Sequence, residues 1–269
     1  MHSGRNEPPG RGDGARVYAQ ERHQKILASA RADGRVDVAG LATALDVTPE
    51  TIRRDLTVLE RHGLLRRVHG GAIPVERMGF EPGLADRERM LAGEKDRIAR
   101  AALDELPDGG AIILDAGTTT VRLAQMLPQD RELIVVTHAL PVATVLASRT
   151  NVTLHLVGGT IRGRTLAGVG DWAVRALADV RVDVTFLGTN GLTVENGLTT
   201  PDLAEAAVKR ALLAAGRRTV VLADHSKVGR SDLAIVAPLG VVDTLITDTG
   251  LDNETTEEIE AAGPRVVRA

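Results

Sequence analysis

The chain has no cysteine. That removes disulfides, thiolate nucleophiles and cysteine metal sites, and it fits a reducing compartment. Aromatic residues are almost missing as well: Tyr18, Phe80, Trp172 and Phe186 are the whole complement of a 269-residue chain. They leave no basis for the stacking platforms that hold single-stranded nucleic acid, and the core must be built from Val, Leu, Ile and Ala. No apolar run approaches the roughly 18 residues of a membrane span. The first fifteen residues, rich in Gly, Pro and charge, contain no apolar signal core. A cytoplasmic protein with no membrane partner is expected. Charge of one sign is also lacking, since 33 Lys+Arg stand against 36 Asp+Glu, which argues against an extended basic coat for nucleic acid. No GxxxxGK[ST] loop, strand-linked GxGxxG or HExxH occurs. Nucleotide hydrolysis, dinucleotide binding and zinc proteolysis therefore have no motif, and neither cofactor nor metal is expected.

What is present divides unevenly. Apolar residues make up 43% of the chain, enough for a sizeable core. Residues 1–77 hold 13 Lys+Arg and 10 Asp+Glu, so the remainder is acidic. That asymmetry suggests a DNA-facing head on a larger body. Residues 1–15 read as a disordered arm broken by Pro8, Pro9 and four glycines. Residues 16–31 predict a helix with Ile26, Leu27 and Ala30 on one face, stopped by Gly34. Val36 and Val38 form an extended lead-in to a second helix over residues 38–45, which carries Leu41, Ala42 and Leu45 and is followed by a turn at Asp46 and Val47.

A third helix starts at Thr48. That residue suits an N-cap, Pro49 the first helical position and Glu50 the positive end of the helix dipole. Ile52, Leu56 and Leu59 follow at i, i+4, i+7 and face the core, leaving Thr51, Arg53, Arg54 and Thr57 outside. Gly63 ends the helix. Residues 64–68, with Arg66 and Arg67, read as one arm of a hairpin turned by His69, Gly70 and Gly71. Two short helices joined by a tight turn, the second capped and bearing adjacent arginines, match a helix-turn-helix whose second helix enters the major groove. There an arginine can read guanine or hold phosphate.

Thr-Ile-Arg-Arg-Asp-Leu at residues 51–56 and Arg-Arg-Val-His-Gly-Gly-Ala at residues 66–72 resemble the DeoR family of regulators. The resemblance implies a winged helix-turn-helix over residues 16–73. It places Thr48, Thr51, Arg53 and Arg54 at the groove of double-stranded operator DNA and Arg66, Arg67 and His69 on the wing. Asp55 is expected to pair with a nearby arginine. Residues 74–87, with Pro74, Gly79, Pro82 and Gly83, read as a linker, and residues 88–106 as one packing helix with an apolar stripe.

Beyond residue 110, β-rich runs at 111–114, 133–136, 152–157, 182–187, 219–223 and 244–247 alternate with helical stretches. They predict an α/β domain over residues 88–269 with a parallel-rich sheet. Ligands of such sheets gather beyond the carboxyl ends of the strands, so the residues after each run are the candidates. Asp115 is followed by Gly117, Thr118, Thr119 and Thr120 and then a helix, a junction whose amides can bind an oxyanion or whose threonines merely cap. Arg162 and Lys227 could neutralise a phosphate, and Asn190 and Asp224 could bind sugar hydroxyls. His138 and His225 read as turn or surface residues, and Glu205 with Lys209 as a surface i, i+4 ion pair.

This half resembles the family's sensor domain, which implies a fold like ribose-5-phosphate isomerases and an effector pocket lined by Asp115, Gly117, Thr118, Thr119, Asn190 and Lys227. His138 stands where family members often carry asparagine. Gly188, Thr189, Asn190 and Gly191 lack the acidic pair of an isomerase's catalytic turn. The expected protein is a non-enzymatic, homo-oligomeric repressor of carbohydrate-metabolism genes controlled by a phosphorylated sugar or polyol. A sugar-phosphate isomerase or transferase with a DNA-binding head is the rival, and an architectural DNA binder is a third reading.

Overall fold

The computed structural model describes residues 19–61, 64–68, 70–74, 81 and 83–269. The expected arm at residues 1–15, the start of the first helix, the stop at Gly63, wing residue His69 and much of the joining segment lie outside the described residues. The chain forms two compact units, Met1–Val75 and Glu76–Ala269.

The head runs α1 (Ala19–Asp33), β1 (Val36–Asp37), α2 (Val38–Ala44), α3 (Pro49–Arg61), β2 (Leu65–Val68) and β3 (Gly71–Pro74). Gly34 follows α1 with φ +71°, the left-handed backbone that favours glycine. Asp37 caps α2 by accepting from Gly40 N at 2.7 Å, and Asp46 makes the tight turn at φ 51°. Ile52, Leu56 and Leu59 of α3 are buried with Ile26, Ala30, Leu41 and Leu65, so the i, i+4, i+7 stripe closes the core. The strands pair antiparallel in the order β1-β3-β2. A Cβ on Gly71 would lie 1.9 Å from Val36 O, so only glycine lets β3 approach β1 this closely.

The body begins earlier than the sequence suggests. Glu81 is buried, and α4 (Leu84–Arg89) precedes α5 (Ala92–Ala101), so residues read as linker belong to the body. The single helix expected over residues 88–106 is broken. Leu91 adopts φ 50°, and Lys95 Nζ donates to Arg87 O and, at 2.6 Å, to Met90 O, capping the last turn of α4. A short 3-10 turn, Ala102–Glu105, then completes the stretch.

From there β4 (Gly110–Leu114), α6 (Thr118–Met126), β5 (Leu133–Thr137), α7 (Leu140–Leu146) and β6 (Val152–Leu156) lead to a small hairpin, β7 (Thr160–Arg162) and β8 (Ala167–Val169). There follow α8 (Asp171–Ala178), β9 (Val182–Gly188), β10 (Gly191–Thr193), β11 (Gly197–Thr200), α9 (Leu203–Ala215) and β12 (Gly216–Leu222). The chain ends through β13 (Ala234–Ala237), β14 (Thr244–Thr247), α10 (Asn253–Ala261) and β15 (Arg265–Arg268).

Among the described residues seven strands form a parallel sheet in the order β15-β14-β12-β9-β4-β5-β6, and β10-β11-β13 form a separate antiparallel sheet. Alternate strand residues face opposite layers. Ile112 and Leu114 pack with Ile98, Leu123 and Val142 under α5, α6 and α7. Ile113 packs with Leu177, Val208, Leu212 and Ile259 under α8, α9 and α10. The strand order reverses between β4 and β9, which opens a crevice beyond their carboxyl ends.

Candidate nucleic-acid interface and ligand cleft

On the head, Thr48 Oγ1 accepts from Thr51 N at 3.2 Å and lies 2.9 Å from Thr51 Oγ1, fixing the first turn of α3. Arg53 and Arg54 are exposed on that helix, and Arg53 Nη1 meets Glu50 Oε2 at 3.1 Å. Asp55 is buried and ties α3 to α1, accepting from Arg22 Nε at 2.5 Å and lying 2.9 Å from His23 Nε2. Burial pushes its carboxyl up, but the bonds from Arg22 and His23 outweigh that and hold it below the usual range. Arg66 pairs with Ile73 in the wing hairpin. Arg67 lies on β2 of the wing. Its Nη1 donates to Arg53 O at 3.2 Å and Thr57 Oγ1 at 3.3 Å, so it braces the wing against α3.

On the body, a small open cleft lies beyond β4, β9 and β12. The structure brings Gly117, Thr118, Thr119, Thr120, Asn190, Asp224 and Lys227 together around it. Thr120 Oγ1 is engaged, donating to Asp115 O at 2.7 Å and Gly117 O at 2.9 Å, which closes the loop before α6. Asp224 accepts from Ser226 N at 3.1 Å. Three cations that the sequence reading did not place there also line the cleft: Arg87, Lys95 and Lys209. Lys95 is buried and has its amine pushed down to about 8, chiefly by burial; Asp224 opposes the shift and Lys227, Arg122 and Arg87 add to it.

Two expected lining residues lie elsewhere. Asp115 sits fully buried beneath the cleft, where it accepts from Gly188 N at 2.9 Å and from Lys209 Nζ, with His138 Nε2 2.9 Å from its other oxygen. Burial pushes its carboxyl up, but the Lys209 charge and the His138 bond overcome this and hold it at about 2. Arg162 does not line the cleft. It is paired with Glu81 at 2.6 Å, Asp202 at 3.1 Å and Glu205 at 3.4 Å.

Two expectations are also corrected, for the Glu205–Lys209 pair and for His138, while His225 keeps its place in a turn. Glu205 and Lys209 are buried rather than a surface pair, because α9 turns both toward the sheet: Glu205 meets Thr165 and Arg162 while Lys209 meets Asp115. His138 is buried between Asp115 and Gly168 O, 2.8 Å from its Nδ1. His225 is half-exposed and held by Asp248 at 2.8 Å. Lys95 and Lys209 left a trace in the sequence, since each interrupts the apolar stripe of its helix, Lys95 beside Ile98 and Ala102, Lys209 beside Ala206 and Leu212.

A winged helix-turn-helix followed by an α/β body with a cation-rich cleft at its sheet switch point defines a DNA-binding regulator that carries a separate ligand-binding domain. Residues 22–77 match the DeoR-like helix-turn-helix domain and residues 91–249 the DeoR C-terminal sensor domain. The chain belongs to the DeoR family of helix-turn-helix transcriptional regulators. It is 40% identical over 249 residues to the HTH-type transcriptional regulator GlpR of Haloferax volcanii, covering 93% of this chain and 97% of that one. It is 32% identical over 228 residues to the glycerol-3-phosphate regulon repressor of Escherichia coli K12, covering 85% and 90%. Ribose 5-phosphate isomerase A of Methanocaldococcus jannaschii is a solved structure with TM-score 0.37 and 16% identity, covering 50% of this chain and 53% of that one.

Proposed function

We propose that the protein represses carbohydrate-metabolism genes as a homo-oligomer and that a phosphorylated sugar or polyol bound in the body's cleft sets its affinity for operator DNA. The carrying observation is the cleft's charge. Arg87, Lys95, Lys209 and Lys227 line it with Asp224 as the one carboxylate among the described lining residues, beside the N-terminal amides of α6; Asp115 offsets Lys209 and Glu81 faces Arg87, so Lys95 and Lys227 carry the charge that is offered. Cations with unengaged helix amides favour a phosphate, while Asn190 and Asp224 suit hydroxyls. Relatives named for a glycerol-3-phosphate regulon and an aga operon support this ligand class.

On the head, exposed Arg53 and Arg54 with Thr48 and Thr51 are assigned to the groove. Binding rather than turnover is inferred because Asp224, the carboxylate among the described lining residues, accepts from Ser226 N and Oγ, and buried Asp115 is engaged by Lys209, His138 and Gly188.

The test is fluorescence anisotropy of operator DNA at fixed salt, with glycerol 3-phosphate, pentose phosphates, hexose phosphates and amino-sugar phosphates as probes. Release of specific DNA by one compound is the expected result. Specific binding that no phosphorylated compound changes overturns the effector assignment, and catalytic turnover of a probe overturns the non-enzymatic one.

A further inference from the structure

Glu81 stands six positions after Val75, the last residue of the head's unit, and is a buried carboxylate of the body. Its two oxygens have different neighbours. Oε2 accepts from Arg162 Nη1 at 2.6 Å, away from the cleft. Oε1 lies 3.4 Å from Arg87 Nη1 and 3.5 Å from Asn190 Nδ2, and both those residues line the cleft. The first oxygen is tightly held and the second is shared loosely.

Arg87 makes a second contact with the same region, Nη2 donating to Arg164 O at 3.3 Å, while Arg164 Nη1 donates to Glu81 O at 2.7 Å. Its Nε is buried and finds no acceptor among the described residues. A buried N–H without a partner carries its desolvation penalty until an acceptor arrives. Phosphate offers three acceptor oxygens and suits a guanidinium's fork of donors.

Resting on the reading of the cleft as an anion site, we infer that Glu81 is an internal rival of the ligand's phosphate and the residue that couples cleft to head. Its Oε1 holds Arg87 and Asn190 until an anion takes them. Losing them leaves Oε1 without those partners, a cost that the ligand's own contacts must exceed, while Arg162 keeps the other oxygen. Arg87 then withdraws from Glu81 and Arg164 together, so occupancy of the cleft alters how Glu81, the first described residue of the body, is held. Coupling arises because ligand and Glu81 bind the same groups exclusively.

The experiment compares full-length wild type, Glu81→Gln and Glu81→Asp. Glycerol 3-phosphate and inorganic phosphate are titrated calorimetrically, and operator affinity is measured without ligand. Glu81→Gln removes the rival charge at constant shape, and Glu81→Asp keeps the charge while drawing it back from Arg87. Both variants are expected to bind the anion more tightly, Glu81→Gln by about fivefold to tenfold. Without ligand, Glu81→Gln is expected to shift operator affinity in the direction that saturating ligand shifts the wild type. Weaker anion binding in both variants, or unchanged operator affinity in Glu81→Gln, overturns the inference. A wild type that binds neither anion, beside a Glu81→Gln protein with shifted operator affinity, overturns the cleft assignment and leaves the coupling role standing.

Discussion

Lys95 spends two of its three ammonium donors on Arg87 O and Met90 O and lines the cleft with one to spare. With its amine pushed down to about 8, chiefly by burial, its charge is complete well below pH 8 and lost as pH rises through that value. Phosphate esters are already dianionic above about pH 7, their second pKa being about 6, so the ligand's own titration adds nothing there. Anion affinity is therefore expected to fall between pH 7 and 9. Lys95→Met should weaken binding about tenfold at pH 7 and flatten that profile; calorimetry at both pH values checks it, and an unflattened profile assigns the titration to another group. Beneath the cleft, Asp115 and Lys209 neutralise one another in a dry setting. Asp115→Asn strands the lysine's charge and should cost about 3–5 kcal/mol in urea unfolding, part of which is regained in Asp115→Asn/Lys209→Met. A loss below about 1 kcal/mol would mean that water reaches the pair.

At the scale of elements, the parts set by local rules were legible and those set by tertiary contact were not. α3 announced itself through Thr48, Pro49 and the buried stripe Ile52, Leu56 and Leu59. The six β-rich runs all became strands of the parallel sheet, the central ones because strands covered on both faces are mostly apolar. The edge strand β15, Arg265–Arg268, escaped notice since two of its four residues are exposed arginines. β10 and β11 are short and rich in Gly and Thr, and a reading that looked for apolar runs passed over them. The break at Leu91 depends on Lys95 reaching back to two carbonyls, which no propensity encodes. In the cleft, residues on loops after strands were found by position alone, as Gly117, Asn190, Asp224 and Lys227 were. Arg87, Lys95 and Lys209 arrive from helices laid over those loops, and only the two lysines marked themselves by interrupting an apolar stripe. The wing yields a test at this scale. Gly71→Ala puts a methyl 1.9 Å from Val36 O, so β3 must leave β1 at a cost of about 3 kcal/mol or more. Operator binding should be lost while the body's phosphate binding, housed in its own compact unit, is unchanged. Operator affinity within twofold of wild type would show that the wing does not need this strand pairing.

For the whole molecule, the decisive quantity is the free energy that links the cleft to the head. The head has its own core around Ile52, Leu56 and Ile26, and the body has two core layers on either side of its sheet. Each unit can therefore keep its fold while the other changes ligand, which is what a regulator with separable input and output requires. A ligand shifts DNA affinity only by its differential affinity for two states of the protein, however tightly it binds. Linkage then makes the effect reciprocal: if effector changes operator affinity by some factor, operator DNA must change effector affinity by the same factor, typically about 5-fold to 150-fold. Both halves are measurable on the same sample at one salt concentration, by anisotropy of labelled operator with effector in excess and by calorimetric titration of effector with operator in excess. The two factors are expected to agree. Equal factors above about fivefold make the cleft the sensor of the regulator. Tight effector binding with both factors at one would leave a ligand-binding body that does not report to the head, and unequal factors would mean that DNA or effector also binds at a second place on the chain.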